Sequence, residues 1–373
     1  MNPGITKDPE FIPQMEPSIG DEERKAVADY MAAPGWLTEF RNTAQFEQAV
    51  AQYCNCEHAI AVNSGTVALL MAALALDLGP GDEVIVPNFT MIATPNSVKL
   101  PGATPVLVDV EPDTLCLDIE KAKAAITSRT KAIFLVAING RYPAAGIEAF
   151  VDLCRERGIA LVEDAAQALG SRYPDGFHMG TKASMGCLSF SSPKIITTGQ
   201  GGMLLTNDAR LADKLRRLKD FGRSGGGNDL HPTIGYNFKF TGLQACIGLA
   251  QLEKLAARVL RKKAIWQRYR SGLAGISGIK LFDMDIVNCV PWFIDVLADR
   301  RDELQEYLRQ HNIGTRLMYP PINAQQCYRV AGSFPVSETA GRRGLWLPSA
   351  SQLSDAEVDR VCTTIRRFCH EQQ

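Results

Sequence analysis

The sequence predicts an α/β protein in which a mainly parallel sheet is followed by a smaller α+β unit. Up to Gly222, short apolar runs alternate with helical segments, a pattern typical of a parallel sheet covered by helices on both faces. The alternation stops at the glycine-rich stretch 224–228, which is predicted to be a loop. With 373 residues, the chain is long enough for two or three domains.

Seven short, mostly apolar runs are predicted to form the strands of the sheet. Residues that favour turns bound several of them, as at 79–82, where the sequence is Gly-Pro-Gly-Asp. The predicted strands are 58–62, 83–87, 104–109, 131–137, 160–163, 187–190 and 202–206. The predicted helices are 22–31, 43–53, 66–78, 91–100, 118–126, 146–157 and 208–218, the last with Asp208 as its N-cap.

The C-terminal third has a different pattern and predicts a second unit. Residues 242–271 predict one long helix that leaves the first domain. It is followed by predicted strands at 291–297 and 315–318 and predicted helices at 302–311 and 355–369. We therefore predict a large domain over residues 1–250, including the N-terminal segment, and a small α+β domain over residues 251–373.

The composition argues against nucleic-acid and membrane partners. The formal net charge is −1, and no apolar run is long enough to span a bilayer. The ten cysteines are scattered, and the close pair Cys54 and Cys56 has no second ligand pair nearby, so no metal site is predicted. The first residues are polar and unlike a signal peptide. We expect a cytoplasmic protein with reduced thiols.

Lys194 follows directly after a predicted strand. Two serines and Pro193 end the apolar run 187–190, and three glycines follow the lysine closely. Glycines allow backbone to pack closely against a ligand, and ligands of α/β proteins bind outside the carboxyl ends of the strands. Lys194 is therefore a candidate active-site lysine, although a solvated surface lysine is the ordinary alternative.

A candidate anion site lies at residues 63–66, whose sequence is Asn-Ser-Gly-Thr. This segment joins a predicted strand to a predicted helix start, where free N–H groups and the helix dipole favour phosphate. A capping turn without any ligand would have the same sequence.

A candidate ring-binding carboxylate ends the predicted strand 160–163. Asp164 follows that strand and is followed by two alanines, which leave room for a flat ring, and by Gln167. A carboxylate that faces a pyridinium nitrogen keeps it protonated and makes the ring an electron sink. The alternative is a helix N-cap, which also suits aspartate.

Together these segments indicate pyridoxal phosphate as the cofactor. A lysine held near positive charge and away from water can form a Schiff base with the cofactor aldehyde, and the same amine can move protons once it is released. The anion site would hold the phosphate and Asp164 the ring nitrogen.

The order and spacing of several motifs resemble the DegT/StrS-type nucleotide-sugar aminotransferases. The resemblance runs from about Glu16 to the C-terminus. The motifs are NSGTVAL at 63–69, GDEVIVPNFTMIATPNSV at 81–98, VEDAAQALG at 162–170, LSFSSPKIITTGQGGML at 188–204 and GYNFKFTGLQ at 235–244. The resemblance implies the type I pyridoxal-phosphate transferase fold, with perosamine-synthase-like enzymes as the nearest members.

The resemblance implies a role for each matching residue. Lys194 resembles the Schiff-base lysine, Asp164 the partner of the ring nitrogen, and Gln167 a contact on the ring hydroxyl side. Gly65, Thr66 and Ser189 resemble the phosphate ligands. Asn237 matches an asparagine that reaches the phosphate of the neighbouring subunit, which implies a homodimer with shared active sites. The alternative for Asn237 is a cap for the helix that follows.

Some positions depart from the family pattern. The position that usually carries an aromatic ring over the cofactor is Met91, with Phe89 two residues earlier, so either side chain is a candidate for that contact. Residues 137–141 differ from the usual family segment while keeping Gly140, and Gln200 replaces a common glutamate. Candidate substrate contacts are Trp36, His231, Arg316 and Tyr319. A structural ion pair for Arg316 and an exposed loop position for His231 are the alternatives.

The resemblance implies transfer of an amino group from L-glutamate to a keto carbon, expected at C4, of a nucleotide-linked keto sugar. The closest rival is a related sugar 3-dehydratase, which has histidine where this chain has Lys194. A second rival is a non-catalytic sensor that binds pyridoxal phosphate. No basic DNA-binding module accompanies the site, which argues against a regulator.

Overall fold

The central feature of the fold is a seven-stranded sheet, here described from a computed structural model of residues 10–33, 36–225 and 229–370. Its strands are β1 His58–Val62, β2 Glu83–Pro87, β3 Thr104–Val108, β4 Thr130–Val136, β5 Ala160–Asp164, β6 Met185–Ser189 and β7 Gly202–Thr206. Their order is β1-β7-β6-β5-β4-β2-β3. All seven predicted strands are present, with ends that differ by a few residues at most.

The sheet is mainly parallel, as predicted. Strands β3, β2, β4, β5 and β6 run parallel to one another, and β7 runs antiparallel to both of its neighbours, β6 and β1. Because β7 reverses the direction between them, β1 points the same way as β6. The carboxyl ends of β1, β5 and β6 therefore meet at one edge of the sheet.

Seven helices accompany these strands, and all but the first pack on one face of the sheet or the other. They are α1 Asp21–Ala32, α2 Arg41–Cys54, α3 Gly65–Ala75, α4 Ala93–Lys99, α5 Ile119–Ala125, α6 Gly146–Arg157 and α7 Ala209–Lys219. Alternate strand residues enter different apolar clusters: Ala59 packs on one face of the sheet and Ile60 on the other. Helix α3 ends before the predicted residue 78 because Asp77 has a left-handed backbone, with φ of 55°.

The predicted long helix over 242–271 is wrong in one respect, because the chain forms two helices there. They are α8 Gly242–Glu253 and α9 Leu255–Gly272, which meet at Lys254. Helix α8 packs on α1 and α2, whereas α9 packs on the last helix, α12 Asp355–His370. The helix is interrupted where the chain passes from one packing surface to the other.

A second sheet of four antiparallel strands lies in the described C-terminal part. Its strands are β8 Ile279–Leu281, β9 Ile294–Ala298, β10 Arg316–Leu317 and β11 Gly344–Leu347, in the order β10-β11-β9-β8. Helices α10 Arg301–Gln310 and α11 Pro335–Arg343 accompany it. The sequence did not predict β8, β11 or α11, and the strand predicted to begin at residue 291 begins at Ile294. The division of the chain at residue 250 stays a prediction.

The described residues contain neither a membrane-spanning helix nor a cluster of metal-binding side chains. Each helix in the ranges above is too short or too polar to cross a bilayer. No three His, Cys, Asp or Glu side chains in those ranges lie close enough together to hold a metal ion. All ten cysteines are free thiols. Part of the predicted loop 224–228, residues 226–228, lies outside the described residues.

Candidate active site

The candidate site lies at the sheet edge where β1, β5 and β6 end. Asp164 is the last residue of β5, and Gly65 begins α3 directly after β1 and Ser64. Ser189 is the last residue of β6, and Lys194 lies on the loop that leads to β7. Ligands of open α/β sheets bind outside such carboxyl ends. The fold therefore brings together the lysine, the carboxylate and the anion segment that the sequence singled out.

Lys194 lies under an aromatic ring. Its Nζ is 4.0 Å from the centroid of the Trp292 ring. Burial lowers the pKa of Lys194 from 10.5 to about 8; the charge of Asp164 opposes this shift and that of Arg316 adds to it. A considerable fraction of the amine is therefore neutral just above neutral pH, as a nucleophile or a base requires.

The loop that carries Lys194 is held by three side chains from later in the chain. The Trp292 indole Nε1 donates to the Pro193 carbonyl at 2.8 Å. Arg258 of α9 donates to the Ile195 carbonyl at 3.0 Å, and Gln251 of α8 accepts from the Thr197 N–H at 3.1 Å. These contacts fix the loop on both sides of the lysine.

Asp164 is a buried carboxylate that is held on two sides. It accepts hydrogen bonds from Thr94 Oγ1 at 2.7 Å and from the Ala166 N–H at 3.2 Å. Burial raises the pKa of Asp164, against the effect of these hydrogen bonds and of the charge on Lys194. A further positive group at this strand end would offset the burial and keep the carboxylate ionised.

The candidate phosphate segment has no room for a side chain at its centre. A Cβ on Gly65 would lie 2.8 Å from the Ser189 Cβ and 3.0 Å from its Oγ, so only glycine fits there. Ser64 caps α3 by accepting from the Val67 N–H at 3.2 Å. Gly65, Thr66 and Ser189 thus gather at the N-terminus of an 11-residue helix, where N–H groups and the dipole favour an anion.

Gln167 connects this region to the segment 137–141. Its Oε1 accepts from the Asn139 N–H at 2.7 Å, and the Asn139 side chain bonds both the N–H and the carbonyl of Phe293. Gly140 has φ of 79°, and a Cβ there would lie 2.2 Å from the Val290 carbonyl, which requires glycine. Arg141 of this segment forms a buried ion pair with Asp295 at 2.7 Å. This segment therefore packs against the chain before β9.

Met91 and Phe89, the two candidates for covering the cofactor ring, have different environments. Phe89 is fully buried in an apolar cluster and lies 6.1 Å from the Tyr319 ring, centroid to centroid. Met91 is 45% exposed at the start of the turn into α4. Thr94, which holds Asp164, is the second residue of that helix.

Two of the four candidate substrate contacts lie on the lysine side. The charge of Arg316 acts on both Lys194 and Tyr319. Arg316 is exposed, with its guanidinium 5.4 Å from the Trp346 ring centroid, and the Tyr319 ring meets that ring edge-on at 4.8 Å.

Trp36, His231 and Asn237 lie on exposed segments. The Trp36 carbonyl accepts a hydrogen bond from Tyr30, and His231 Nδ1 lies 2.9 Å from the Phe221 carbonyl. Asn237 is exposed, and the next residue, Phe238, accepts from the Asn63 N–H at 3.2 Å. Thr241, rather than Asn237, caps α8. No contact of these three side chains with Lys194 or Asp164 occurs among the described residues.

Sequence reasoning missed Thr94, Gln251, Arg258 and Trp292. Each acts on Asp164 or on the Lys194 loop through a contact between residues at least 54 positions apart in the chain. A local pattern carries no signal for such contacts. For Thr94, the one available hint was its place in the motif at residues 81–98.

These residues fit pyridoxal phosphate. The amine of Lys194 suits the aldehyde. The buried Asp164 forms no ion pair with any described residue, and a protonated ring nitrogen would provide that positive partner. The crowded Gly65 lies where a phosphate would meet free N–H groups. The site therefore defines a lysine-dependent pyridoxal-phosphate enzyme on an α/β sheet.

The chain also matches a family profile. The DegT/DnrJ/EryC1/StrS aminotransferase family matches residues 17–366. The chain belongs to this family and is a pyridoxal-phosphate-dependent aminotransferase.

Curated relatives and solved structures agree with this assignment. The GDP-perosamine synthase of Caulobacter vibrioides is 36% identical over 94% of this chain and 96% of its own, and that of Vibrio cholerae is 35% identical over 96% and 99%. The aminotransferase TlmJ of Streptoalloteichus hindustanus superposes with a TM-score of 0.91 at 32% identity, covering 97% of this chain and 99% of its own. A Streptococcus pneumoniae protein solved in its PLP form gives 0.90 at 27% identity, covering 97% and 100%.

Proposed function

We propose that this enzyme transfers an amino group from L-glutamate to a keto carbon, C4, of a nucleotide-linked 4-keto-6-deoxy sugar. The observation that carries the proposal is the convergence of Lys194 and Asp164 at one sheet edge, in a chain similar over almost its whole length to GDP-perosamine synthases. A role in building surface polysaccharides or glycosides follows from such a product. We further propose that it acts in the cytoplasm, since its ten free thiols suit a reducing compartment.

The chain's own residues would hold the cofactor at three points. The α3 N-terminus, with Gly65, Thr66 and Ser189, would bind the phosphate through N–H and hydroxyl donors. Asp164 would accept a hydrogen bond from the protonated ring nitrogen, with Thr94 keeping the carboxylate in place. When bound, pyridoxal phosphate supplies an electron sink that stabilises negative charge on a carbon attached to the reacting nitrogen.

Lys194 would act as nucleophile and as proton carrier. Its lowered pKa, about 8, lets the neutral amine be populated near physiological pH and lets the ammonium give the proton back. In one half-reaction the amine takes a proton from the α-carbon of glutamate, and in the other it delivers a proton to the sugar carbon. The loop contacts from Gln251, Arg258 and Trp292 restrict where this amine can reach.

The substrate would enter from the side of Met91, Arg316 and Tyr319. Met91 is exposed and can cover one face of a flat ring, whereas Phe89 is fully buried in the core. The exposed guanidinium of Arg316 can bind a diphosphate or a carboxylate in bidentate fashion. Tyr319 adds an apolar ring beside it.

The alternative of a sugar 3-dehydratase is disfavoured by Lys194 itself, because the position that the resemblance assigns to histidine carries an amine under the Trp292 ring. The alternative of a non-catalytic sensor is disfavoured by the complete set of lysine, carboxylate and anion segment.

The test is a substrate screen with product mass. Purified enzyme with pyridoxal phosphate is given L-glutamate and 4-keto-6-deoxy sugars linked to GDP, UDP or dTDP. We expect an amine in place of the keto oxygen on one of these sugars, together with 2-oxoglutarate, and no product from a Lys194→Ala control. Loss of water from the sugar would indicate the dehydratase, and a glutamate-insensitive cofactor band would indicate the sensor.

We also propose a homodimer in which each active site takes Asn237 from the partner. Asn237 is exposed rather than used as a helix cap, and its surroundings carry large exposed apolar side chains that a partner would cover. Ile234 and Tyr236 lie close to Asn237 in the chain, and Trp36 and Leu37 precede Thr38, whose carbonyl accepts from the Gly242 N–H at the end of the same segment. His231 and Trp36 would then contact the substrate of the shared site.

Complementation separates this arrangement from a site built in one chain. Lys194→Ala should be inactive, and Asn237→Asp should be strongly impaired because it sets a carboxylate against the phosphate. A heterodimer of the two variants has one intact site in two if sites are shared, so activity should rise to as much as half of wild type. Heterodimers no more active than half of the Asn237→Asp homodimer would mean that Asn237 serves its own chain.

A further inference from the structure

The Lys194 amine lies against the ring of Trp292, a side chain that neither the motifs nor the family comparison singled out. The Trp292 ring face lies 4.0 Å from Nζ, and Trp292 is 6% exposed. The ring is stacked on Phe293 at 3.7 Å and meets Trp346 edge-on at 5.8 Å, centroid to centroid. Its own Nε1 donates to the Pro193 carbonyl, one residue before the lysine. The indole is therefore fixed in orientation by contacts on several sides.

The backbone of Trp292 is held as firmly as its ring. Lys262 of α9 is 3% exposed, and its Nζ donates to the Trp292 carbonyl and to the Ser349 carbonyl, both at 2.5 Å. No carboxylate pairs with Lys262 within the described residues. Burying an amine without a carboxylate partner costs free energy of folding. The two carbonyl contacts offset part of this cost and fix the position of the Trp292 carbonyl.

The protonated form of Lys194 has few groups that stabilise it. No carboxylate in the described ranges forms an ion pair with this amine; Asp164 favours the charge from a distance, and Arg316 opposes it. Lys262, which binds the Trp292 carbonyl, offers no negative charge, and burial lowers its own pKa to about 7. The electron-rich face of the indole, at contact distance, is therefore a group that can attract the ammonium.

We propose that Trp292 is a positioning residue that holds the Lys194 amine against its ring face while the amine carries a proton and has no covalent bond to the cofactor. This proposal rests on the proton-carrying role of Lys194 given above. The ring would stabilise the ammonium after it takes the proton, keep it within reach of the reacting carbon, and keep it away from Arg316. The direct contact of the indole with the Pro193 carbonyl couples its position to that of the lysine loop.

The experiment measures the pKa of Lys194 in the cofactor-free enzyme, where sugar and donor play no part. Competitive labelling with isotopic acetic anhydride, followed by mass spectrometry of the Lys194 peptide, gives this value. The four tryptophans of the chain are replaced biosynthetically by fluorinated analogues, which keep the ring shape but withdraw electrons from its face. We expect the midpoint of Lys194 to fall as fluorine is added, by about half a pH unit in all.

A Trp292→Phe background provides the matched control. In this background, fluorination of the other three tryptophans should leave the Lys194 midpoint unchanged. The control includes Trp346, whose ring lies beside Arg316, so it also tests whether fluorine acts on Lys194 through that guanidinium. Trp292→Met, compared with Trp292→Phe, removes the aromatic face at similar volume and should lower the midpoint further. Thermal unfolding of each protein verifies that it is folded, and the fluorinated wild-type sequence provides the answer even where a substitution prevents folding.

Two outcomes would overturn the proposal. One is a Lys194 midpoint that does not respond to fluorination. Trp292 would then only pack against the lysine without stabilising its charge. The other is a response that persists in Trp292→Phe, which would assign the effect to another ring. A failure of the proposed sugar reaction would leave both measurements unaffected, so the two proposals fail separately.

Discussion

The two halves of the active site are held in different ways. Asp164 ends a strand in the middle of the large sheet, and its hydrogen-bond partners, Thr94 and Ala166, both come from the part of the chain that forms that sheet. Lys194 lies on a loop, and the side chains that hold this loop, Gln251, Arg258 and Trp292, come from α8, α9 and the segment before β9.

The carboxylate and the amine therefore depend on different parts of the fold for their positions. The position of the carboxylate depends on the sheet, which is buried on both faces and has little freedom to shift. The position of the amine depends on how the C-terminal part packs on the loop. Changes in α8 and α9 should therefore affect the lysine while leaving the carboxylate in place.

The largest effect is expected from the lysine itself. Lys194→Ala should lower turnover by about four orders of magnitude or more, because nucleophile and proton carrier are lost together. In wild type, borohydride reduction should bleach the visible cofactor band and leave the cofactor mass on the Lys194 peptide. Lys262, the other buried lysine beside Trp292, is the internal control and should carry no label. Cofactor mass on any other lysine would refute the assignment.

The next largest effect tests the sheet-held half. Asp164→Asn keeps the shape but removes the charge, and turnover should fall by about two to three orders of magnitude, on the scale of ~3 kcal/mol measured for preorganised charge contacts. Thr94→Val removes one hydrogen bond to the carboxylate and should cost about tenfold. Steady-state kinetics of the loaded enzymes measures both, and near-normal turnover of Asp164→Asn would exclude its role at the ring nitrogen.

A change in α8 tests the loop-held half. Gln251 is fully buried and also bonds Arg258 and Glu23, so Gln251→Leu removes one hydrogen bond from each of these two charged groups and one from the Thr197 N–H. We expect the free energy of unfolding to fall by about 3 kcal/mol and cofactor binding at Lys194 to weaken. Denaturant unfolding and cofactor titration measure these effects. Gln310→Leu, at an exposed position of α10, should change stability by less than about 0.5 kcal/mol. Equal effects of the two substitutions would contradict the conclusion that Gln251 holds the Lys194 loop.

The smallest effect concerns the charges around the amine. Arg316 lowers the pKa of Lys194 and Asp164 raises it. Arg316→Gln should therefore shift the Lys194 midpoint from about 8 toward the ordinary lysine value, and Asp164→Asn should shift it the opposite way. The labelling midpoint of the cofactor-free enzyme shows the sign of each shift. A fall on Arg316→Gln would mean that the guanidinium does not act on Lys194.

Several elements could be predicted because their signals are local. All seven strands of the large sheet followed from apolar runs bounded by turn residues, and the helices between them from caps and glycine stops. The prediction of a single helix over 242–271 was wrong because α8 and α9 pack on different helices, and an unbroken helical pattern carries no signal for the interruption at Lys254. Strands β8 and β11 were missed, although β10, which is shorter still, lies within the strand predicted at 315–318.

The parallel sheet, the candidate lysine after β6, the carboxylate at the end of β5 and the anion segment after β1 could all be predicted from the sequence. Each of them depends on a short run of consecutive residues. Only the tertiary structure decided what surrounds the amine. The contacts of the Lys194 loop join residues 54, 63 and 99 positions apart, and they form because α8, α9 and the segment that carries Trp292 all pack on the loop. Contacts between distant residues depend on packing, which no local pattern encodes.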